Sequence, residues 1–97
     1  MSRKQKRLQK VRQNPKNVTF DELRRVLEDF QFEMRPSQGT SHHFFRAEIK
    51  RRVWSMTIPF KRPHLNVVYV KKALFMLDEI IDWREQHGFS DLEDDEE

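Results

Sequence analysis

Residues 39–46 read Gly-Thr-Ser-His-His-Phe-Phe-Arg, and the other elements of the chain are arranged around this segment. A turn ends in two adjacent histidines and continues into an apolar and basic run, which predicts a β-strand over residues 42–49. Because side chains alternate along a strand, His42 shares one face with Phe44 and Arg46, and the second histidine points to the other face. One of the two histidines is therefore structural or solvent-facing.

The segments on either side of this strand predict the remaining elements. Thr19 as N-cap and Glu22 three residues later form a capping box, which predicts a helix that ends near Phe30. Alternating and helical apolar spacings predict three more elements: a short strand over 31–35, a third strand over 53–58 and a long helix over 67–87. The order of helix, three antiparallel strands and helix predicts an α+β fold of two layers, with the helices on one face of a small sheet.

The composition limits the class of protein. Ninety-seven residues with 36% apolar content are enough for one small domain. The absence of cysteine excludes disulfides and thiolate metal sites and favours a reducing compartment. No apolar segment follows the basic N-terminus, so we expect no signal peptide and no membrane span. The sequence therefore predicts a cytoplasmic protein.

Charge is concentrated at the two ends of the chain. Residues 1–17 hold seven basic and no acidic side chains, and residues 91–97 hold six acidic and no basic ones. We interpret 1–17 as a basic arm, 18–90 as the folded domain and 91–97 as an acidic tail. Such ends are typical of segments that bind or mimic polyanions, although solvated arms that aid solubility have the same composition. The tail is also a candidate to fold back on a basic surface as an RNA mimic.

The order of elements, the run from Gly39 to Arg46 and the later Thr57-Ile58-Pro59 together resemble the HicA family of toxins, over roughly residues 18–81. Members of that family are small ribonucleases of bacterial toxin–antitoxin pairs, with a fold similar to that of double-stranded-RNA-binding domains. The resemblance implies that mRNA is the substrate and that a HicB-like antitoxin is the partner. It also implies that His42, which directly follows Ser41, is the catalytic residue.

The chemistry of RNA fits a histidine in this role. RNA can be cut without a metal because its own 2′-OH attacks the adjacent phosphorus when a side chain takes the proton and cations stabilise the transition state. Histidine is suited to that transfer at neutral pH. We expect His42 to act as general acid or base, without a metal or cofactor, and to leave a 2′,3′-cyclic phosphate and a 5′-OH. His43, His64 and water are the candidates for the second proton transfer.

Further residues are predicted to contact the RNA: Ser41, Phe44, Arg46, Lys61, Arg62, Lys71 and Lys72. The adjacent lysines Lys71 and Lys72 lie near the start of the predicted last helix, where the helix dipole disfavours cations unless a phosphate is bound. Their context resembles the basic step with which double-stranded-RNA-binding domains hold the backbone. A solvated basic face with weak contact to RNA is the alternative interpretation.

Aromatic residues are predicted mostly to pack rather than to stack on bases. Six of them have core-like spacings: Phe20, Phe30, Phe32, Trp54, Phe75 and Trp83. The better stacking candidates are Phe60 and whichever of Phe44 and Phe45 faces outward.

The sequence leaves three classes of function open. The first is the metal-independent ribonuclease toxin, and the second is a noncatalytic RNA-binding module of the same fold. The third is a protein-interaction module whose basic charge is incidental. The first two differ in whether His42 performs chemistry or only packs and hydrogen-bonds.

Overall fold

The computed structural model describes residues 2–36, 39 and 41–88 of the chain. These residues form α1 (Arg3–Gln13), a short 3-10 turn (Pro15–Asn17), α2 (Phe20–Asp29), β1 (Glu33–Pro36), β2 (His42–Ile49), β3 (Arg52–Pro59) and α3 (Val67–Gln86). The predicted acidic tail, residues 91–97, lies outside the described residues. The α+β class is confirmed, and the structure adds α1 before the predicted order of helix, three strands and helix.

The strand β2 is the centre of the sheet, because β1 and β3 both pair with it in antiparallel register. Its bounds are those that the sequence predicted. The odd-numbered side chains face the hydrophobic core, where Phe45 is 0% exposed and Ala47 is 1% exposed. The even-numbered side chains face the other way, and His42 among them is exposed. The predicted division of β2 into two faces is therefore confirmed.

A two-residue turn joins β2 to β3. Ile49 and Arg52 are register partners, so only Lys50 and Arg51 lie between the strands. Both adopt positive φ, 52° and 71° respectively. This left-handed geometry matches the right-handed twist of a hairpin, although glycine and asparagine adopt it at lower cost.

The start of α2 has the predicted reciprocal caps. The Thr19 hydroxyl accepts a hydrogen bond from the Glu22 backbone N–H at 3.1 Å, and the Glu22 carboxylate accepts one from the Thr19 backbone N–H at 2.9 Å. The ammonium group of Lys10, on α1, lies 3.0 Å from the other carboxylate oxygen of Glu22. One glutamate therefore caps α2 and connects it to α1.

The predicted basic arm forms α1, which packs against the rest of the chain. Leu8 and Val11 are buried in the same core as the residues of the sheet. Burial of each such side chain contributes about 1.5–3 kcal/mol before the entropy of ordering is subtracted. The Arg7 guanidinium donates two hydrogen bonds of 2.8 Å to Asp29 of α2, and Arg12 pairs with Asp78 of α3. Much of the charge that the sequence suggested for binding polyanions is thus used inside the protein.

The long helix α3 has the predicted ends. The Asn66 side chain accepts a hydrogen bond from the Val68 N–H at 2.9 Å, and Gly88 follows the last turn with φ of 76°. Of the stripe that helical spacing predicts, Val70, Ala73, Leu77 and Ile80 are buried, and Leu74 and Ile81 are half-buried. Phe75 is 67% exposed, so the prediction that it packs in the core is wrong. Two helical positions after Ala73, it lies about 200° around the helix axis from that inner stripe.

None of the helices in the described part of the chain is long and apolar enough to span a lipid bilayer.

The caps of α2 predict a pH-dependent stability. The pKa of Glu22 is lowered from its ordinary value, chiefly by the hydrogen bond from the Thr19 backbone and next by the bond from Lys10. A pKa that is lowered in the folded state stabilises the protein at pH values above the ordinary pKa of glutamate. This contribution is lost as the pH falls through the lowered pKa. We expect Glu22→Gln to lower the free energy of unfolding at neutral pH by roughly 0.5–1 kcal/mol, and by much less near pH 2.

Urea denaturation of both proteins across this pH range measures the difference. The exposed Glu79→Gln is the matched control, because it removes one carboxylate from the surface of α3. A Glu22→Gln penalty that stays constant with pH would contradict the assignment.

Candidate functional site

One face of the sheet is not covered by the helices. Its side chains are exposed or half-buried, and we call this surface the open face: Glu33, Arg35, His42, Phe44, Arg46, Glu48, Val53, Ser55 and Thr57. Val53 alone exposes 47% of its surface. The open face carries a histidine, an aromatic ring, two arginines and two glutamates, so it offers proton transfer, stacking and charges of both signs on one flat surface.

Phe44 lies at the middle of the open face. Its register partners are Arg35 on β1 and Thr57 on β3. Directly opposed residues in a sheet have Cβ atoms about 4.5–5.5 Å apart, and diagonal neighbours lie about 7–8 Å apart. His42 is diagonal to Arg35 and to Thr57, so the His42 and Arg35 side chains lie on the same face of the sheet, beside Phe44.

Arg35 is a candidate site residue that the sequence analysis missed. It is exposed, and among the described residues no carboxylate lies within ion-pair distance of it. The sequence did indicate its face of the sheet, because the alternation over 31–35 places Phe32 and Met34 on the core face and Arg35 on the other. The pairing register that brings Arg35 beside Phe44 was not available from the sequence.

Arg46 lies farther from the histidine than Arg35 does. It follows His42 by four residues along the strand, which is about 13 Å. Its guanidinium also donates a hydrogen bond of 3.4 Å to the Glu48 carboxylate. Arg46 therefore shares the open face with His42, but part of its charge is neutralised locally.

His43 lies on the core face, opposite to His42. Its ring centroid is 4.8 Å from that of Phe20 and 6.2 Å from that of Phe60, and its Nδ1 lies 3.2 Å from the Ser41 carbonyl oxygen. The two adjacent histidines cannot both contact one phosphate on the open face. His43 packs against the start of α2.

The end of the sheet beside His42 is closed by the backbone of Phe60. His42 pairs with Pro59, and the Phe60 N–H then donates a hydrogen bond of 2.7 Å to the Ser41 carbonyl. Ser41 itself is exposed. This contact fixes the point where the turn enters β2, and so it fixes the position of His42 at the corner of the open face.

Lys61 and Arg62 line a groove that we call the basic groove. This cavity of about 410 Å³ is lined on one side by Lys16, Lys61, Arg62 and His64, and on the other by the start of α3. The Arg62 guanidinium carbon also lies 5.3 Å from the centroid of the Phe60 ring. His64 is half-buried here and lies away from the open face.

Lys71 and Lys72 are exposed on α3, in the helix layer. The Lys72 ammonium lies 5.6 Å from the centroid of the Tyr69 ring. The predicted RNA-binding residues thus lie in three places: Ser41, Phe44 and Arg46 on β2 or directly before it, Lys61 and Arg62 in the basic groove, and the two lysines on α3. The structure does not bring Lys71 and Lys72 to the open face.

Within residues 2–36, 39 and 41–88, no three histidine, cysteine, aspartate or glutamate side chains come together as a metal site would require.

Comparisons with protein-family models, with curated proteins and with solved structures find no match to this chain.

Proposed function

We propose that the protein is a metal-independent endoribonuclease that cuts mRNA at the open face, as the toxin of a type II toxin–antitoxin pair. The observation that carries the proposal is the exposure of His42 at the corner of a flat surface that also presents Phe44 and Arg35. The order α2, three antiparallel strands and α3 supports it, because this is the order expected from the resemblance to HicA toxins and to double-stranded-RNA-binding domains.

His42 has the role of general acid or base. As base, it takes the proton of the 2′-OH while the 2′ oxygen bonds to phosphorus and the bond from phosphorus to the 5′ oxygen breaks. Water supplies the proton that the leaving 5′ oxygen needs, since His43 is on the other face of the sheet. A positioned proton-transfer group of this kind typically contributes about 10²–10⁴-fold to the rate.

Arg35 supplies positive charge to the transition state. Its guanidinium and the His42 imidazole are diagonal neighbours across β1 and β2, so one phosphate between them can contact both. Negative charge builds up on the phosphoryl oxygens during the attack, and a cation beside them stabilises this charge more than it stabilises the ground state. Arg35 therefore acts on the chemical step.

The other residues of the open face hold the RNA strand. A base stacked on Phe44 gains about 1–3 kcal/mol, with little dependence on its identity. Arg46 attracts the backbone beyond that base, and the Ser41 hydroxyl donates a hydrogen bond to a phosphate where the strand passes the start of β2. A cytoplasmic HicB-like antitoxin that covers this face would block both substrate binding and proton transfer.

A noncatalytic RNA-binding module is the second candidate. Phe44 lies between Arg35 and Arg46 on an uncovered sheet, and an aromatic ring flanked by cations binds single-stranded RNA without any chemistry. In this alternative, His42 contributes only contacts. The two functions differ in what a change of His42 does to cleavage.

Substitution of His42 tests the proposal. We expect His42→Ala to lower the cleavage rate of a mixed RNA in EDTA by at least about 100-fold, because the proton-transfer group is lost. The affinity for RNA should change by less than about threefold, since most affinity comes from phosphate contacts and stacking. The matched control is His87→Ala, which removes an exposed histidine at the end of α3. Equal cleavage by the parent protein and His42→Ala would refute the assignment.

Substitution of Arg35 tests its role in the chemical step. We expect Arg35→Ala to lower kcat by about 10²–10³-fold, the typical loss for one transition-state donor, with a smaller rise in KM. Arg35→Lys should recover part of kcat, because the charge remains but the fork geometry is lost. The control is Arg25→Ala on the exposed side of α2. A rise in KM with unchanged kcat would show instead that Arg35 only binds the substrate.

A further inference from the structure

Three cations from separate parts of the chain converge on the basic groove. Lys16 comes from the 3-10 turn, while Lys61 and Arg62 come from the loop that joins β3 to α3. No acidic side chain lines this groove, and in the described part of the chain no carboxylate forms an ion pair with any of the three. Three cations of α1 are different, because Arg7, Lys10 and Arg12 each have an acidic partner.

The loop that carries Lys61 and Arg62 is held at both ends. The Phe60 N–H donates to the Ser41 carbonyl at 2.7 Å, and the Leu65 N–H donates to the Val18 carbonyl at 2.8 Å. The Phe60 ring packs edge-on against Phe20, with centroids 5.1 Å apart, and Leu65 is 3% exposed. The ends of the loop backbone are therefore fixed, and a ligand that binds there has mainly the exposed cationic side chains to order.

The shape of the surface favours a polyanion over a single ion. A second cavity of about 310 Å³ adjoins the groove, with Lys61 and Arg62 as part of its wall and Asp21 as its acidic lining residue. The two cavities therefore meet at these two cations. In the basic groove itself, where no acid lines the wall, like charges that are held together raise the local positive potential, which attracts a ligand with several negative charges in a row.

The basic groove lies close to the open face. Lys61 follows Pro59, the register partner of His42, by two residues. A spacing of 4.7–4.9 Å between strands and about 3.3 Å per residue along them places the Cα atoms of Lys61 and His42 about 8 Å apart. A few nucleotides of one RNA strand span this distance.

We propose that the basic groove binds the phosphodiester backbone of the same RNA strand, on one side of the bond that is cut beside His42. The inference rests on the proposed function and adds a second binding site to it, with Lys16 as a member. The groove is on the helix layer, whereas His42 is on the opposite face of the sheet, so the strand passes around the end of the sheet at Ser41 and Phe60. A flexible single strand can bend there, and a stiff duplex cannot.

Binding of RNA strands of two lengths tests the groove. The probes are 2′-O-methyl RNAs of about four and about ten nucleotides, which cannot be cleaved through a 2′-OH and differ in whether they reach beyond the open face. With the parent protein, the longer strand should bind more tightly and with a steeper salt dependence. Lys16→Ala and Lys61→Ala should each weaken binding of the longer strand about fivefold at 0.1 M salt and lower its salt slope by about 0.7.

The shorter strand should bind equally well to the parent and to both groove variants. Lys6→Ala is the matched control, because Lys6 is an exposed lysine of α1 that does not line the groove. Equal binding of the longer strand by the parent, Lys16→Ala and Lys61→Ala would overturn the proposal. The proposal would also be overturned if the groove variants lost equal affinity for the shorter and the longer strand.

This result is separate from the test of the ribonuclease itself, because no cleavage is measured. If the parent protein cuts no RNA and the groove variants still lose affinity for the longer strand, the nuclease proposal is wrong and the proposal that the groove binds RNA is supported. If cleavage depends on His42 and strand length has no effect on binding, the nuclease proposal is supported and the proposal that the groove binds RNA is wrong.

Discussion

The alternation of side chains along β2 determines which residues are buried in the core and which are presented on the open face. Phe45 must be buried beneath the helices, so His42 and Phe44 must face outward on the other side of the strand. A slip of one residue would bury the histidine and expose the phenylalanine, which the core does not allow. The burial of one apolar ring therefore sets the exposure of the candidate catalytic histidine, and the neighbouring His43 becomes part of the packing.

Some basic residues of the protein form ion pairs that stabilise the fold, and others are exposed without an acidic partner among the described residues. Three cations of α1 form ion pairs with acids of α2 and α3, and these pairs hold the first helix over the core. The cations without such partners include Arg35 on the open face and Lys16, Lys61 and Arg62 in the basic groove. Net charge alone does not reveal this division, since it depends on which acids the fold brings close.

Features set by local sequence were predictable, and features set by tertiary contact were not. The capping box of Thr19 and Glu22, the bounds of β2 and the cap at Asn66 depend on residues a few positions apart. The docking of α1 depends on two buried side chains that form too short a pattern to indicate packing. The place of Arg35 beside Phe44 depends on the register of β1 against β2. The basic groove could not be predicted because it brings Lys16 next to residues far along the chain.

The central claim is that the 2′-OH of the RNA attacks its own phosphate beside His42. Analysis of the product ends, with the parent protein and EDTA present, tests this most directly. The account predicts 2′,3′-cyclic phosphate and 5′-OH ends, and no cleavage of a strand in which every 2′-OH is methylated. Products with 3′-OH and 5′-phosphate ends, or cleavage of the methylated strand, would contradict it.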